Sequence, residues 1–342
     1  MKGKNLKVAF RADGSNEKGL GHIVRCFALS QAFMDSDIRF YCTQSAIGGI
    51  GWLRQHNCRV EQLYSKTIEG ESEEFNNLLY AWSADIVIVD SYWISSEYIR
   101  NLSQSGAIVV AIDDNGLYDY RCDAVINCNL GAENLVYPNA QISLLGGRYA
   151  MLRKEFTEIS PTPPRERVSD ILVTMGGADI SNFTPTVLEA LSSLRDINIH
   201  VVIGALMTNE SEIKSAAEKC LCNVILHRAP KSMAELMASC DLAVSAGGGT
   251  VKELLAMGLV SLFIIQADNQ MNLVEYMNRV NLPLCLGVFN EVTSEQIYSA
   301  ACNLMNDYKL RTKYSTFMQE QVDRLGTKNI VIKLKEYYKK FI

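Results

Sequence analysis

The chain has 342 residues, of which 48% are hydrophobic, so it is long enough to fold as two domains that each bury a core. Its formal net charge is -5, and Lys and Arg are spread along the chain. This pattern excludes the concentrated basic surface of nucleic-acid-binding proteins, so no nucleic-acid partner is expected. The ten cysteines form no CxxC pair, which predicts buried thiols in a reducing cytoplasm.

The two ends of the chain bear on targeting and membrane association. The start, MKGKNLKVAFRADG, leads directly into a strand pattern, and no run approaches the roughly 18 apolar residues of a membrane span. We therefore expect a soluble cytoplasmic protein without stable membrane insertion. At the other end, Ile330, Leu334, Tyr337 and Phe341 share one helical face. This predicts a docked terminal helix, with a membrane-surface helix as the alternative. No feature predicts the oligomeric state.

Short apolar runs alternate with amphipathic stretches along the chain. The runs are continuous, which is typical of strands buried on both faces of a parallel sheet. The clearest are KVAFRA, ADIVIVDS, AIVVAIDD, DILVTMGG, IHVVIGA, NVILHRA, LAVSAGGG and SLFIIQA. Most finish in Asp, Gly, Ser or Gln, at the carboxyl ends where such sheets bind ligands. Amphipathic helices are predicted after Thr184-Pro185 and after Thr250.

Two such series predict an α/β protein of two Rossmann-like doubly wound domains facing a cleft. The first domain is expected over 1–155 and the second over 165–320. The last helix, about 320–342, is expected to pack back on the first domain. The segment SPTPPRERVSD, which holds three of the seven prolines, is the predicted linker.

The first of three glycine-rich turns, in RADGSNEKGLGHIVRC, ends in a histidine. Gly19 and Gly21 let the backbone approach a ligand closely, and the amides that open the next helix would face an anion. The turn is neither a full GxGxxG motif nor a Walker loop, so neither a dinucleotide nor ATP is favoured. His22 stands at the helix start, where the helix dipole disfavours imidazolium and keeps the ring able to accept a proton. A histidine that only hydrogen-bonds a carbonyl is the alternative.

The other two glycine-rich turns belong to the second series. The Gly-Gly turn that ends at Gly177 precedes Asp179, which fits either turn and capping chemistry or a ligand-binding turn. In SAGGGTVKELLAMG, the spacing of Thr250 and Glu253 matches a capping box. Alternatively, Gly247–Thr250 would cradle a phosphate while the carboxylate binds sugar hydroxyls. Glycine turns at several strand ends together favour a diphosphate-linked ligand.

Several ordered motifs resemble one enzyme family: FRADGSNEKGLGHIVRC, VDSYWIS, INCNLGA, GGRYAMLRKEF, VTMGGADISN and SAGGGTVKELLAMG followed by QADNQ. They resemble the UDP-2,4-diacetamido-2,4,6-trideoxy-β-L-altropyranose hydrolases of pseudaminic acid biosynthesis, from residue 7 to about 275. The C-terminal third also resembles the wider GT-B superfamily of the lipid II-forming N-acetylglucosaminyltransferase, MurG. The resemblance implies a GT-B fold, a UDP-sugar substrate, UDP as product and inversion at the anomeric carbon. It implies no cofactor and no metal.

The resemblance also implies roles in the first domain. His22 matches the histidine that activates water. Arg25, on the same helical face, would hold an anionic or acetamido group, with a solvated surface arginine as the alternative. Asp13, preceded by Arg11, would fix the imidazole or contact the sugar, or else cap a turn. Tyr92 matches a tyrosine near the sugar, with aromatic packing as the alternative.

In the second domain the resemblance implies a nucleotide site. Glu253 is expected to bind the ribose, and the backbone of 227–229 to hold uracil. Asn269 and Gln270 are expected to face the sugar or the phosphates. The expected diphosphate contacts are Gly177, Gly248, Gly249 and Thr250.

Two rival functions remain open at this stage. A UDP-sugar-dependent glycosyltransferase would share the donor site but would need an acceptor groove. A non-catalytic nucleotide-sugar-binding subunit would share the motifs without turnover. Sugars with other stereochemistry or with an amino group would be bound by almost the same motifs. The three histidines away from the first turn, His56, His200 and His227, are expected to be structural.

Overall fold

The computed structural model describes residues 5–14, 19–91, 95–114, 116 and 119–341. Of residue 341, only the backbone is described. These residues form thirteen β-strands and thirteen α-helices. The strands are β1 Lys7–Ala12, β2 Asp37–Thr43, β3 Val60–Leu63, β4 Ile86–Asp90, β5 Ile108–Ile112, β6 Cys122–Asn127, β7 Ala140–Leu145, β8 Asp170–Thr174, β9 Asn198–Ile203, β10 Asn223–Arg228, β11 Leu242–Ala246, β12 Ser261–Ile265 and β13 Cys285–Val288. The helices are α1 Gly21–Ala32, α2 Ile47–Gln55, α3 Ile68–Trp82, α4 Ser96–Leu102, α5 Glu155–Glu158, α6 Thr184–Leu191, α7 Glu210–Ala217, α8 Met233–Ser239, α9 Thr250–Met257, α10 Met271–Arg279, α11 Ser294–Asn306, α12 Tyr308–Glu320 and α13 Gly326–Phe341.

The chain divides into two compact units, and the first consists of residues 1–154 and 325–342. Its seven strands form a parallel sheet in the order β3-β2-β1-β4-β5-β6-β7. Alternate residues of β1 enter two apolar cores: Val8 and Phe10 face one core and Ala9 faces the other. All three are fully buried, so the continuous apolar run is explained by burial on both faces.

The terminal helix α13 packs on the first unit. Ile330 and Leu334 are fully buried in the same core as β1. The hydroxyl of Tyr337 donates to Asp123 at 2.8 Å, and that of Tyr338 donates to Asp85. The helix is thus held on the first unit by an apolar face and by two tyrosine hydroxyls. No helix among the described residues is long and apolar enough to cross a membrane.

The second unit consists of residues 155–324. Its six strands form a parallel sheet in the order β10-β9-β8-β11-β12-β13. The proline-rich segment expected to link the domains lies within this unit. Its attachment has a clear cause, because the buried guanidinium of Arg311 on α12 donates from Nη2 to the carbonyls of Arg165 and Glu166, each at 2.8 Å.

Each sheet has one place where the strand order reverses. In the first unit this is between β1 and β4, and in the second it is between β8 and β11. The connections that leave such neighbouring strands diverge to opposite faces of the sheet, and a crevice opens at their carboxyl ends, where ligands bind in open α/β sheets. The first and third glycine-rich turns follow β1 and β11, so each lies at a reversal point.

Candidate active site

His22 is the second residue of α1, and its ring is held by a buried carboxylate. The helix begins at Gly21, and the residue before it provides no side-chain cap. His22 Nδ1 lies 2.6 Å from Oδ1 of Asp90, the last residue of β4, which is fully buried. Because a carboxylate only accepts hydrogen bonds, Nδ1 carries the proton and Nε2 keeps its lone pair. The ring is thus arranged to accept a proton at Nε2.

Arg25 lies one turn after His22 and binds the same carboxylate. Its Nε donates to Asp90 Oδ2 and its Nη2 to Oδ1, both at 2.5 Å, while Nη1 donates to Asp114 Oδ1 at 2.7 Å. Nη2 also lies 3.1 Å from His22 Nδ1. We assign this proximity to two donors that converge on one acceptor, because Oδ1 is the nearer partner of both nitrogens. The alternative of Arg25 as a solvated surface arginine is wrong.

The charge states in this cluster follow from burial and pairing. Burial opposes ionisation of Asp90, but the charges of Arg25 and His22 and the hydrogen bonds from both residues together outweigh burial and lower the pKa of the carboxyl. Burial likewise opposes the charge of Arg25, but Asp114 and Asp90 raise its pKa well above the ordinary value. Burial, and then the Asp90 carboxylate, raise the pKa of the Cys26 thiol well above its ordinary value. At neutral pH Asp90 is therefore a carboxylate, Arg25 a guanidinium and Cys26 a neutral thiol.

Arg11 and Asp13 bind each other and protein groups other than His22. Arg11 is buried on β1, and its guanidinium donates to Glu71 at 2.8 Å and pairs with Asp13 at 2.7 Å. Asp13 Oδ1 accepts from the backbone N–H of Thr43 at 2.8 Å. The expectation that Asp13 fixes the imidazole is corrected, since Asp90 occupies Nδ1. The turn-capping reading of Asp13 agrees with its bonds to the end of β2.

Two further residues, Tyr92 and Gly21, were expected in the first-domain site. Tyr92 lies outside the described residues. A Cβ added to Gly21 would meet no described atom within 4 Å, so the backbone at the helix start leaves space for a close neighbour. Asn129, after β6, was not among the expected residues; it donates to the backbone carbonyl of Asp114 at 2.9 Å and so extends the polar cluster along the sheet edge.

The third glycine-rich turn opens α9 without a side-chain cap. Gly249 is the N-cap residue and Thr250 is the first helical residue, and the cap position makes no side-chain hydrogen bond. The capping-box reading of Thr250 and Glu253 is therefore wrong. A helix N-terminus of this kind presents unpaired amides and a partial positive charge, which together favour an anion.

The second glycine-rich turn leads to a helix that is already capped. Buried Asp179 accepts hydrogen bonds from the amides of Phe183 and Thr184, at 2.9 and 3.0 Å, at the start of α6. Its carboxylate also accepts from Gln266 Nε2 at 3.2 Å. The protein thus supplies its own anion at α6, so α9 is the better-suited helix for a ligand phosphate.

The glycines of the second unit fall into two groups. A Cβ on Gly204 would lie 2.6 Å from the carbonyl oxygen of Gly176, and one on Gly247 would lie 2.7 Å from Ile265 Cδ1. Gly204 therefore needs glycine, because its neighbours are backbone atoms, whereas a Cβ on Gly247 would require the end of the Ile265 side chain to shift. A Cβ on Gly177 or Gly249 would meet no described atom within 4 Å, and neither residue has a positive φ. Packing within the described protein therefore does not require glycine at Gly177 or Gly249.

The remaining predicted residues of the second unit lie near the third turn. Gln270 Oε1 accepts from the backbone N–H of Gln266 at 2.9 Å, and its Nε2 lies 3.6 Å from where a Cβ on Gly248 would stand. Asn269 is exposed in the same short 3₁₀ turn. Glu253 is half-buried in the first turn of α9. Gln270 therefore lies beside the third glycine-rich turn, where it was expected to face the sugar or the phosphates.

The two histidines on the second sheet form a chain with an aspartate. His200 Nδ1 lies 3.0 Å from His227 Nε2, and His200 Nε2 lies 3.0 Å from Asp170 Oδ1. Burial opposes the charge of Asp170, but hydrogen bonds from His200, Ser169 and Asn198 lower its pKa to about 2. Burial, and then His200, lower the pKa of His227. The contacts agree with the structural role expected for both histidines.

Asp90 and Asp114 are the functional candidates that sequence reasoning did not single out. A signal was present, because both stand at the carboxyl end of continuous apolar runs, ADIVIVDS and AIVVAIDD. Among the described residues, no group of three His, Cys, Asp or Glu side chains is arranged to hold a metal ion.

Residues 170–332 match the model of the glycosyltransferase family 28 C-terminal domain. The crystal structure of Acinetobacter baumannii MurG matches 97% of this chain and 99% of its own, with a TM-score of 0.72 and 15% identity. The fold is GT-B. The expected fold class is thus confirmed for this GT-B protein, with parallel sheets of seven and six strands.

Three curated relatives are similar in sequence to this GT-B protein. An uncharacterised protein of Methanocaldococcus jannaschii is 27% identical over 78% of this chain, which spans only 57% of that relative's length. The spore coat polysaccharide biosynthesis protein SpsG of Bacillus subtilis is 23% identical over 98% of this chain and 100% of its own. The UDP-2,4-diacetamido-2,4,6-trideoxy-beta-L-altropyranose hydrolase of Campylobacter jejuni is 28% identical over 57% of this chain and 69% of its own.

Proposed function

We propose that the protein is a UDP-sugar hydrolase in which His22 activates water. The observation that carries the proposal is the hydrogen bond of 2.6 Å between His22 Nδ1 and buried Asp90, the carboxylate–histidine pairing that orients an imidazole to act as a base through its other nitrogen. The pair stands at the reversal point of the first sheet. The similarity of part of the chain to a UDP-sugar hydrolase supports this reaction class.

The second unit supplies the nucleotide site in this proposal. The uncapped start of α9, with the amides around Gly248, Gly249 and Thr250, binds the diphosphate, and Glu253 binds the ribose. Gln270 lies beside the same turn. Backbone donors and the helix dipole also stabilise the charge that develops on the departing diphosphate, so no strong acid is required.

The reaction is then a single displacement. The oxygen of a water molecule attacks the anomeric carbon while His22 Nε2 takes one of its protons. The bond from that carbon to the diphosphate oxygen breaks, and its electron pair leaves on UDP. The attack inverts the anomeric centre, and the imidazolium later returns the proton to solvent. Asp90 holds the ring throughout and stabilises its charged form.

The sugar that we propose is 2,4-diacetamido-2,4,6-trideoxy-β-L-altropyranose, which places the protein in nonulosonic acid biosynthesis of the pseudaminic type. The support is the Campylobacter jejuni relative together with the motifs that resemble its family. The name of SpsG, a polysaccharide biosynthesis protein, supports the broader setting of surface-sugar synthesis. Arg11 and Asp13 are bonded to other protein groups, so their expected contact with the sugar has no geometric support.

A glycosyltransferase that uses a UDP-sugar donor is the second candidate. The match of 170–332 to a glycosyltransferase family 28 domain favours it. Both functions use the same donor site, and they differ in whether water or an acceptor hydroxyl attacks the sugar. A transferase would release UDP rapidly only when its acceptor is present.

The test is to incubate the purified protein with a panel of UDP-linked diacetamido-trideoxyhexoses and to measure released UDP without any acceptor. We expect release by the unchanged protein and a loss of about 10²–10⁴-fold in His22→Asn, with nearly unchanged UDP affinity by calorimetry. His56→Asn is the matched control, because His56 is an exposed histidine of the same unit that stacks on Trp52. Absence of release from the whole panel, or equal release by His22→Asn, would overturn the proposal.

A further inference from the structure

Arg25 makes three hydrogen bonds within the His22 cluster, although no step of the proposed reaction uses it. Three of its nitrogens donate to two carboxylates at 2.5–2.7 Å. The side chain is 17% exposed, and the two carboxylates are nearly or fully buried. Such an arginine has little capacity left to bind a substrate anion.

We propose that Arg25 and Asp114 form a charge clamp that holds Asp90 in position against His22 and, through their opposite charges, sets how readily His22 binds a proton. The catalytic meaning of the clamp rests on the proposed function. Its effect on the protonation of His22 does not, and can be measured without any substrate. Arg25 and Asp114 are positioning residues, since each acts on His22 through its neighbours.

The first part of the clamp is geometric. Nε and Nη2 of Arg25 engage both oxygens of Asp90, which is the fork arrangement that fixes a carboxylate in the guanidinium plane. With that plane fixed, Oδ1 stays directed at His22 Nδ1. Asp114 holds the far side of the guanidinium through Nη1, so Arg25 cannot rotate away from Asp90 without losing a second ion pair.

The second part of the clamp is the sum of charges around the ring. Four titratable or charged groups belong to the hydrogen-bonded network of His22: Arg25 and Cys26 on α1, Asp90 at the end of β4, and Asp114 after β5. With Cys26 a thiol, these groups sum to one negative charge. Removing Arg25 leaves two negative charges, which favours imidazolium. Removing Asp114 leaves none, which favours the neutral ring.

The experiment follows the protonation of His22 by NMR of histidine-labelled protein, with His22→Asn to assign the signal. In Arg25→Met we expect the titration midpoint of His22 to rise by about one pH unit, because a positive charge near the ring is lost. In Asp114→Asn, where the lost charge lies farther away, we expect a fall of about half a unit. A purely structural role for the two residues would not move the midpoint in opposite directions.

Two further variants keep the test decisive if Arg25→Met does not fold. Arg25→Lys keeps the charge but not the fork, so its midpoint should stay within about 0.3 unit while UDP release falls about tenfold or more. Arg100→Met, at an exposed arginine paired with Glu97, is the control and should change neither quantity. The clamp is refuted if Asp114→Asn leaves the His22 midpoint unchanged or raises it. Expected midpoints without UDP release in any variant would instead refute the proposed function alone.

Discussion

The substitution Gly249→Ala separates an effect on folding stability from an effect on ligand binding. Its backbone is already helical, with φ -57° and ψ -30°, and an added Cβ would meet no described atom within 4 Å. Gly249→Ala should therefore leave the folded state unstrained and restrict the unfolded chain, which raises the free energy of unfolding by about 0.4–1 kcal/mol. If the diphosphate lies against this turn, the new methyl group occupies its space, and the Kd for UDP should rise at least about tenfold, or about 1.4 kcal/mol.

The assay is urea unfolding combined with calorimetric titration of UDP. Gly51→Ala is the matched control, because Gly51 lies inside α2 with equal room for a Cβ; it should gain up to about 1 kcal/mol without any change in UDP affinity. Gly204→Ala is the opposite control, since its Cβ would clash with the backbone carbonyls of Gly176 and Gly177, and it should lose about 2 kcal/mol or more. A Gly249→Ala protein that binds UDP as tightly as the unchanged chain would refute the assignment of the diphosphate to this turn.

Three further predictions concern the two units separately. Asp90→Asn should lower UDP release about 10²-fold or more while UDP affinity holds, because the amide no longer selects the proton position on His22; equal turnover would count against the pair. The pKa of Asp170 is lowered to about 2, so its carboxylate stabilises the fold above about pH 4 and this contribution disappears as the pH falls from about 4 to about 2. Asp170→Asn should therefore cost about 2 kcal/mol at pH 6 but about half as much at pH 3, measured by urea unfolding at both pH values, and a constant cost would contradict this sign. Leu334→Ala, in the buried face of α13, should cost about 2–5 kcal/mol in thermal or urea unfolding of the first unit, whereas a negligible loss would show that the helix is not docked.

Of the eight strands predicted from sequence, seven lie in the interior of the two sheets, and one, NVILHRA, is the edge strand β10. Runs such as those of β1, β4 and β11 are continuous because both faces of each strand are buried. The edge strands β3, β7 and β13 give no such run, since most of their residues are only half-buried. Edge strands cover fewer apolar neighbours, so their pattern is weak.

The candidate site was predictable to the extent that it lies in one stretch of chain. His22 and the turn before it are recognisable because a titratable ring follows two glycines at a helix start. Asp90 is 68 residues away, and its role depends on the neighbouring positions of β1 and β4, which local sequence does not contain. The prediction for Arg11 failed in the opposite way. It is near His22 in sequence but shares a face of β1 with Ala9, and that face is covered by the helix that carries Glu71.

The capping-box prediction failed for a related reason. The spacing of Thr250 and Glu253 satisfies the motif, yet α9 begins one residue earlier than a Thr250 cap requires, with Gly249 at the cap position. The capping-box motif specifies the spacing of the two residues, but it does not specify the backbone conformation of the residue before them, which decides where the helix begins.

The central claim is that water, activated by His22, attacks the anomeric carbon of a UDP-sugar. The most direct measurement is mass spectrometry of both products after turnover in water labelled with oxygen-18 and without an acceptor. The account predicts one labelled oxygen in the released sugar and none in UDP. Label in UDP would mean attack at phosphorus, and it would contradict the role given to His22 and Asp90.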